Sequence, residues 1–462
     1  MKLEFISGIS KSLETSCLVV HIHTNKKTFI EFLKQHKLKK SNANSKIIEN
    51  GKRLWVHLFN TKYKLFSAKE LASGLSHIKD DLIIDLSHIH SSTDKLLVSQ
   101  ILCKQFYTFD KYKTNGSKQR SIYLYDTSNQ QDHIKDIILQ ITVTNMNRDF
   151  QNEPANMINP STFCDYVQRM FQGQSYVKIK IFDEKHLIAM GLNMIQQMGK
   201  ASVHKSRFLV IEYMSPSKSK ETFALVGKGV CFDAGGLNIK TNQYMSPSMK
   251  SDKTGGTTAA SMVLYAAKAK LKCNIIALIP LIENVISGEA LHPGDIIKTY
   301  DKKTVEIKNT DAEGRVIMTD ALAYTKRYPK ITYLFDLATL TGQSDSFIPD
   351  TTSVHFTLNK KLSGIIENLG EQIGERSLRL PAYEEYTNAT KSNVADFKNY
   401  DFEPYNKNST YMAAVYLLNF VPKHLKPWYV HFDISNSFPK GFSNGNVTIL
   451  IMNLIKYILK NK

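Results

Sequence analysis

The sequence has few features of disulfide-stapled or membrane proteins. Its five cysteines in 462 residues are scattered and never in CxxC spacing, which excludes a disulfide framework and a cysteine zinc site. The strongest apolar run, residues 275–282, is too short to span a bilayer. The first fifteen residues contain Glu4 and no unbroken apolar stretch, so we expect no secretion signal, no membrane partner and a cytoplasmic location.

Three common enzyme motifs are also missing. The sequence contains no HExxH, no G-x-x-x-x-G-K-[ST] and no G-x-G-x-x-G, which argues against monozinc proteases, P-loop proteins and Rossmann enzymes. Acidic residues are scarce, since 42 Asp and Glu face 60 Lys and Arg, for a formal net charge of +18. This surplus attracts polyanions and keeps DNA as a possible partner, although no recognition helix or aromatic-interleaved basic motif is evident.

The composition is that of a folded protein, with 42% hydrophobic and 22% charged residues. The chain is about two to three times the length of a typical domain. Strand-like and helical segments alternate, which predicts an α/β protein: a smaller N-terminal α/β domain and a larger domain with a mixed, largely parallel sheet covered by helices. A single helix is predicted over residues 184–198. Asn and Pro collect between Asn145 and Pro160, so we expect the domains to be 1–150 and 151–462.

Acidic residues lie among glycines at the ends of predicted strands, where open α/β sheets place their sites. Asp233, Asp252, Asp311 and Glu313 supply enough carboxylates for two metal ions that share ligands. Each of them alone could instead be a solvated loop acid or a helix N-cap. The helix that follows Glu313 begins with Arg315, a cation unfavourable at a helix N-terminus, which indicates a bound anion.

Several motifs resemble the leucyl aminopeptidase family of dinuclear metallopeptidases. They are NTDAEGR (309–315), PGDIIKT (293–299), DLATLTG (336–342), the segment 379–399, WYVHFDIS (428–435) and EPAN near the domain junction. The resemblance covers most of the second domain, whereas the first resembles the family only in size and α/β character. It implies a homohexamer that hydrolyses the N-terminal residue from peptides through a metal-bridging hydroxide. A DNA-binding member of the same family and a non-catalytic scaffold are the alternatives.

The resemblance also implies roles for individual residues. The ligands of two divalent ions, Mn²⁺ or Zn²⁺, would be Lys228, Asp233, Asp252, Asp311 and Glu313. Asp233 and Glu313 would bridge a tight and an exchangeable ion, and nearby dications would favour the neutral amine that Lys228 needs. Lys240 would polarise the substrate carbonyl and stabilise the oxyanion. Arg315 would hold a bicarbonate that relays a proton.

The pocket for the first side chain departs from the family pattern. Its lining would be Met249, Thr339, Leu340, Gly342, Ser435 and Phe438. Ser435 stands where alanine is usual and Phe438 where methionine is common, which should narrow and polarise the pocket. We therefore expect Ala, Thr or Met to be removed at least as well as Leu, and Phe and Trp poorly. Lys253 also stands where methionine is frequent, next to the proposed ligand Asp252.

Two histidine pairs, His21/His23 and His88/His90, offer a weaker metal site. Spacing of i,i+2 on a strand would place both rings on one face. Half-exposed strand histidines without a ligand are the simpler interpretation, and the lysine-rich residues 34–40 are typical of a solvated helical face.

Overall fold

The computed structural model describes most of the chain. The ranges are 2–8, 17–23, 46–50, 53–57, 68–69, 71–73, 75–76, 80–116, 120–128, 130–241, 245–342, 348, 352–381, 388–401, 409–437, 445 and 447–461. The chain divides into two compact units. One comprises residues 1–145 with 371–374, and the other comprises residues 146–370 with 375–462.

The first unit contains a six-stranded sheet. Its strands are β1 (Lys2–Ile6), β2 (Cys17–His23), β3 (Lys46–Asn50), β4 (Arg53–His57), β5 (Asp81–Asp85) and β6 (Ser121–Tyr125). The spatial order is β1-β6-β5-β2-β4-β3, and all neighbours are parallel except β3 and β4. Parallel neighbours need a crossover connection, and helix α1 (Ser92–Gln105) lies in the one between β5 and β6.

The structure does not favour the two histidine pairs as a metal site. Strand β5 ends at Asp85, so His88 and His90 lie beyond it, and the strand spacing predicted for them is wrong. The Nε2 atom of His88 is 4.0 Å from Asp85 Oδ2, and His90 is exposed. The side chains of His21 and His23, and all of residues 34–40, lie outside the described residues.

The second unit contains a larger sheet and a small one. Their strands are β7 (Val177–Phe182), β8 (Arg207–Tyr213), β9 (Thr222–Gly227), β10 (Gly229–Asp233), β11 (Asn274–Asn284), β12 (Ile296–Lys298), β13 (Thr304–Glu306), β14 (Tyr333–Ala338), β15 (Ser353–Phe356), β16 (Ser377–Leu380), β17 (Phe397–Lys398) and β18 (Tyr429–Asp433). The large sheet has the order β16-β15-β18-β14-β9-β11-β8-β7, with β10 paired to β11, and the small sheet is β12-β13-β17.

Parallel pairs outnumber antiparallel ones in the large sheet, so the predicted mixed, largely parallel α/β fold is confirmed. At one edge, β7 pairs only with β8 among the described strands, and it carries Lys178 and Lys180. The ammonium of Lys180 lies 2.6 Å from a carboxylate oxygen of Glu212 on β8.

Helices cover the strands and connect them. Beyond α1 they are α2 (Gln131–Asn152), α3 (Pro160–Met170), α4 (Glu184–Met190), α5 (Asn193–Met198), α6 (Thr254–Ala269), α7 (Glu313–Tyr324), α8 (Lys360–Ile373), α9 (Ser409–Leu418) and α10 (Thr448–Lys460). Within the described ranges, none of the helices has the length and apolar character needed to cross a membrane. The five cysteines all lie in the described part, are buried and form no disulfide.

Two helix boundaries differ from expectation. The single helix predicted over 184–198 is interrupted at Gly191, whose φ of +75° places it in the left-handed region and ends α4. Helix α2 continues through Asn145 to Asn152, although the sequence there is rich in turn-forming residues. The next helix, α3, has a capped start: the side chain of Asn159 accepts from the N–H groups of Ser161 and Thr162.

Glycines at the start of α6 permit a close approach to the strands that lead into the site. A Cβ atom on Gly255 would collide with the carbonyl oxygen of Leu337 on β14. The N–H of Gly256 donates to the carbonyl of Lys228 at 2.7 Å, and the N–H of Lys228 donates to Leu337 O at 2.9 Å. These contacts fix the backbone from which the Lys228 side chain projects.

Candidate metal centre

Neighbouring backbone segments bring the four predicted carboxylates together. Asp233 is the last residue of β10, and Asp252 lies in a 3-10 turn, Pro247–Lys253, that leads into α6. Asp311 lies in the loop before α7, and Glu313 is the first residue of that helix. Ligand oxygens of Asp233, Asp311 and Glu313 all lie within 4.8 Å of one another. Only Asp233 among the four ends a strand, so the strand-end rule applies to it alone, although three of the four are adjacent in the fold.

Lys228 contacts one side of this carboxylate cluster. Its Nζ atom lies 2.7 Å from Asp252 Oδ1 and 2.7 Å from Glu313 Oε1, and it donates to the carbonyl of Thr339 at 2.8 Å. The hydroxyl of Thr339 in turn donates to Asp252 Oδ1 at 2.7 Å. The amine of Lys228 thus lies at the centre of its own set of oxygen atoms.

Lys240 contacts the other side of the cluster. Its Nζ atom lies 2.7 Å from Asp233 Oδ2 and 2.5 Å from Asp311 Oδ1. The Asp311 side chain is 33% exposed, against 2% for Glu313, so the Asp311 side is the open side of the cluster. Lys240 therefore lies where the cluster meets solvent.

Crowding of buried charges shifts the pKa values of these groups. Burial, with repulsion from neighbouring carboxylates, raises the pKa of Asp233 and Asp252, and raises that of Asp311 to about 6. Burial would also raise the pKa of Glu313, but attraction to Lys228 and Lys240 outweighs it and lowers the value. Burial opposes the charged lysines, yet the carboxylates outweigh it and raise both lysine pKa values.

The cluster fits divalent cations. Four carboxylates face two ammonium groups, so the fully ionised cluster has two uncompensated negative charges in a largely buried place. The Oδ2 atom of Asp252 is buried, and no described residue forms a hydrogen bond with it. Oxygen-rich, negatively charged donor sets of this kind suit Mn²⁺, Zn²⁺ and similar ions.

Other polar residues that the sequence did not single out hold the carboxylates in place. The Asn284 amide donates to Asp233 Oδ1 at 2.8 Å and to the carbonyl of Thr310 at 3.0 Å. The Asn399 amide donates to the carbonyl of Asn309 at 2.7 Å and so pins the start of the NTDAEGR segment. Asn284 ends β11 directly opposite Asp233, so the same strand-end rule could have found it.

Arg315 is buried in the first turn of α7. Its Nη1 atom donates to the carbonyl of Asn399 at 2.9 Å, and its guanidinium lies 5.7 Å from the centre of the Tyr400 ring. Among the described residues, none provides a hydrogen-bond partner for its buried Nε atom. One N–H donor of this cation therefore has no protein partner there.

Two of the predicted pocket residues lie beside the cluster: Thr339 contacts Lys228 and Asp252, and Met249 is half-buried in the turn that carries Asp252. Leu340 donates through its N–H to Asp433 Oδ1 at 3.1 Å. A Cβ on Gly342 would have no described atom within 4 Å. The Ser435 hydroxyl donates to Asp433 Oδ1 at 3.0 Å. Phe438 lies outside the described residues.

Gly314 provides a test of the position of Lys228. A Cβ at this glycine would lie 2.5 Å from Lys228 Cε and 2.7 Å from its Nζ. We expect Gly314→Ala to push the amine aside and to lower Mn²⁺ affinity by about tenfold or more. Isothermal titration of metal-free protein with Mn²⁺ measures this. Gly364→Ala is the control, since nothing lies within 4 Å of the added methyl there, and equal affinities in the two variants would contradict the placement.

Comparisons with known proteins agree with this architecture. A family model described as "Cytosol aminopeptidase family, catalytic domain" matches residues 145–448. A cytosol aminopeptidase of Encephalitozoon cuniculi is 35% identical over 352 residues, which cover 76% of this chain and 70% of the relative.

Two solved structures share the fold. The leucine aminopeptidase of Caenorhabditis elegans superposes with a TM-score of 0.83 at 23% identity, over 99% of this chain and 98% of that one. The bottromycin maturation enzyme BotP in complex with Mn has a TM-score of 0.80 at 21% identity, over 96% and 99% of the two chains. At these identities the structures support the fold alone.

The family match and the curated relative carry the functional conclusion. The matched residues 145–448 include the whole carboxylate cluster. The relatives are aminopeptidases, and they do not favour the DNA-binding or scaffold alternatives. The chain therefore belongs to the cytosol aminopeptidase family and is a metallo-aminopeptidase.

Proposed function

We propose that this enzyme binds two divalent metal ions in its carboxylate cluster and releases the N-terminal residue of peptides. The observation that carries the proposal is the arrangement of four carboxylates and two lysines in one buried cluster with an excess of negative charge. Mn²⁺ and Zn²⁺ are the proposed ions, and the Mn bound to the structurally similar BotP supports the first.

The positions of the side chains suggest how the ligands divide. Lys228 and Asp252 contact each other on the buried side, so we assign them to the tight ion together with the bridging residues Asp233 and Glu313. Asp311 is the most exposed carboxylate, so we assign it to the exchangeable ion with the same two bridges. Exposure favours exchange because an exchanging ion must regain water as it leaves.

Each residue then has a defined task. When bound, the ions activate water at neutral pH and polarise the scissile carbonyl. The carboxylates would hold the ions, and their four negative charges offset the four positive charges of two dications. Lys240 lies at the solvent side, where its ammonium can stabilise negative charge that develops on the carbonyl oxygen.

Arg315 is proposed to bind a bicarbonate ion. The free Nε–H of its buried guanidinium supports this role, because planar carboxylate-like anions match guanidinium donors. When bound, bicarbonate supplies a group that accepts and returns a proton. Arg315 would hold it in place through a charge-assisted hydrogen bond.

The pocket for the first side chain is proposed to favour small or slightly polar residues. The proposal rests on Phe438 and Ser435, which stand where methionine and alanine are usual in the family and should narrow and polarise the pocket. The Ser435 hydroxyl donates to Asp433, and Met249 lies in the same turn as the proposed ligand Asp252. We expect kcat/KM for Ala and Met amides to equal or exceed that for Leu amide.

We also propose the wider setting of the enzyme. Residues 151–462 form the catalytic domain, since all proposed ligands lie between 228 and 313. A cytoplasmic location is supported by the names of the relatives, which are cytosol aminopeptidases. The homohexamer rests on the family resemblance, and native mass spectrometry of the full chain would count its subunits.

The test of the proposed reaction is its need for a free N-terminal amine. We expect Ala, Met, Leu and Phe amides to be hydrolysed in the presence of Mn²⁺, and N-acetyl-Leu amide to react at least about a hundredfold more slowly, because a neutral amide cannot replace the amine. Release of ammonia measures both. Hydrolysis of the acetylated and free amides at equal rates would exclude an aminopeptidase mechanism of this kind.

A further inference from the structure

Lys253 is a completely buried lysine beside the proposed metal ligand Asp252. Its side chain has no exposed surface. Its Nζ atom donates to three backbone carbonyls: Lys250 O at 2.7 Å, Glu153 O at 2.9 Å and Gln151 O at 3.2 Å. Buried lysines are rare unless they are paired, and this one is satisfied without a carboxylate.

Two of the three acceptors belong to a distant part of the chain, at the end of α2. The last carbonyls of a helix have no partners within it, and cations near that end are stabilising. Helix α2 has no basic residue in its own last turn. Lys253, about a hundred residues further along the chain, supplies the missing cation there.

The third acceptor closes the turn that contains Asp252. The bond from Lys253 Nζ to Lys250 O spans Ser251 and Asp252, so the backbone of the proposed ligand lies inside the loop that this bond closes. The end of α2 is itself anchored, because the Gln151 and Asn147 amides both donate to Thr258 Oγ1 on α6. The turn is thus bonded to a helix end that is itself held in place by hydrogen bonds.

We propose that Lys253 is a positioning residue for the metal centre, which holds the Asp252 turn against the end of α2 and so sets the affinity for the tight metal ion. The inference rests on the proposed role of Asp252 as a ligand. Methionine, which is frequent at this position in the resembling family, fills the same space but donates no hydrogen bond.

Three donors are needed for three acceptors, and only the charged ammonium form has three. Three carbonyl oxygens around the buried nitrogen favour this charged form. A charge alone would repel nearby metal ions and weaken their binding. If Lys253 acts by positioning Asp252, its replacement should raise the Kd for the metal ion. If it acts only through charge repulsion, its replacement should lower that Kd.

The experiment compares Lys253→Met with Lys250→Met, a half-buried lysine in the same turn. Each full-length protein is stripped of metal, its thermal unfolding midpoint is recorded, and its Kd for Mn²⁺ is measured by titration calorimetry. We expect the Kd of the Lys253 variant to rise by about tenfold or more and that of the control to change by less than about twofold. A purely structural role would lower the midpoint and leave the Kd unchanged.

Lys253→Arg is the second variant. It keeps the charge, but its planar group cannot donate to the three carbonyls in the same geometry, so we expect a Kd between those of the wild type and Lys253→Met. If Lys253→Met does not fold, the Kd of Lys253→Arg is compared with that of the wild type instead. A Kd equal to or lower than the wild-type value in the folded variants overturns the inference, whereas absence of Mn²⁺ binding to the wild type overturns the ligand assignment itself.

Discussion

Dialysis against a chelator is expected to lower kcat/KM for Leu amide by about a thousandfold or more, because several kcal/mol of transition-state stabilisation come from the metal ions. Without metal, Lys228 and Lys240 remain charged and paired with the carboxylates, whose contact distances are 2.5 to 2.7 Å. The measurement is steady-state kinetics together with metal content by mass spectrometry.

Added metal provides the control for this loss. Mn²⁺ or Zn²⁺ should restore activity, and Mg²⁺ should do so less well because it binds nitrogen donors such as Lys228 poorly. The described part of the cluster contains no serine or cysteine nucleophile placed to act alone. Full activity in protein shown to contain no metal would exclude the proposed mechanism.

Replacement of Lys240 and replacement of Asp311 are expected to separate catalysis from metal binding. Lys240→Ala should leave two ions per chain and lower kcat by about a hundred- to a thousandfold, as loss of an oxyanion-stabilising donor does. Asp311→Asn should reduce the metal content toward one ion per chain, because it removes the charge of the most exposed ligand. Metal content and kcat are measured on the same preparations.

Asp311→Asn keeps the size of the side chain, and Lys240→Ala truncates a side chain that reaches the solvent edge of the cluster. The side-chain exposures of Lys240 and Asp311 are 14% and 33%. Lys326→Ala, which removes an exposed cation just beyond the opposite end of the helix that begins at Glu313, is the control for loss of charge alone. Equal loss of metal in the Lys240 and Asp311 variants would show that their roles are wrongly divided.

The carboxylate cluster could be anticipated from the sequence because its parts are local signals. Asp233 ends a strand, and Asp311 and Glu313 lie in the NTDAEGR segment where a loop leads into a helix. The mixed, largely parallel fold followed from alternating apolar segments. These features depend on neighbours in the chain, which a sequence displays directly.

Features that depend on distant partners could not be anticipated. The role of Lys253 depends on carbonyls about a hundred residues away, and a buried lysine is not distinguishable from a surface lysine by its neighbours in sequence. The break at Gly191 depends on a left-handed backbone that glycine permits but does not require.

Two of the lysines that make the chain basic, Lys178 and Lys180, lie on the edge strand β7, where they have a role unrelated to catalysis. An exposed strand edge offers unpaired N–H and C=O groups to any other extended chain, and lysines on such an edge oppose that pairing. Lys178 is exposed there, and Lys180 is held beside Glu212 at 2.6 Å. The peptides that an aminopeptidase meets are extended chains, so a charged edge keeps them, and partly folded copies of the enzyme, from adding to the sheet and starting aggregates.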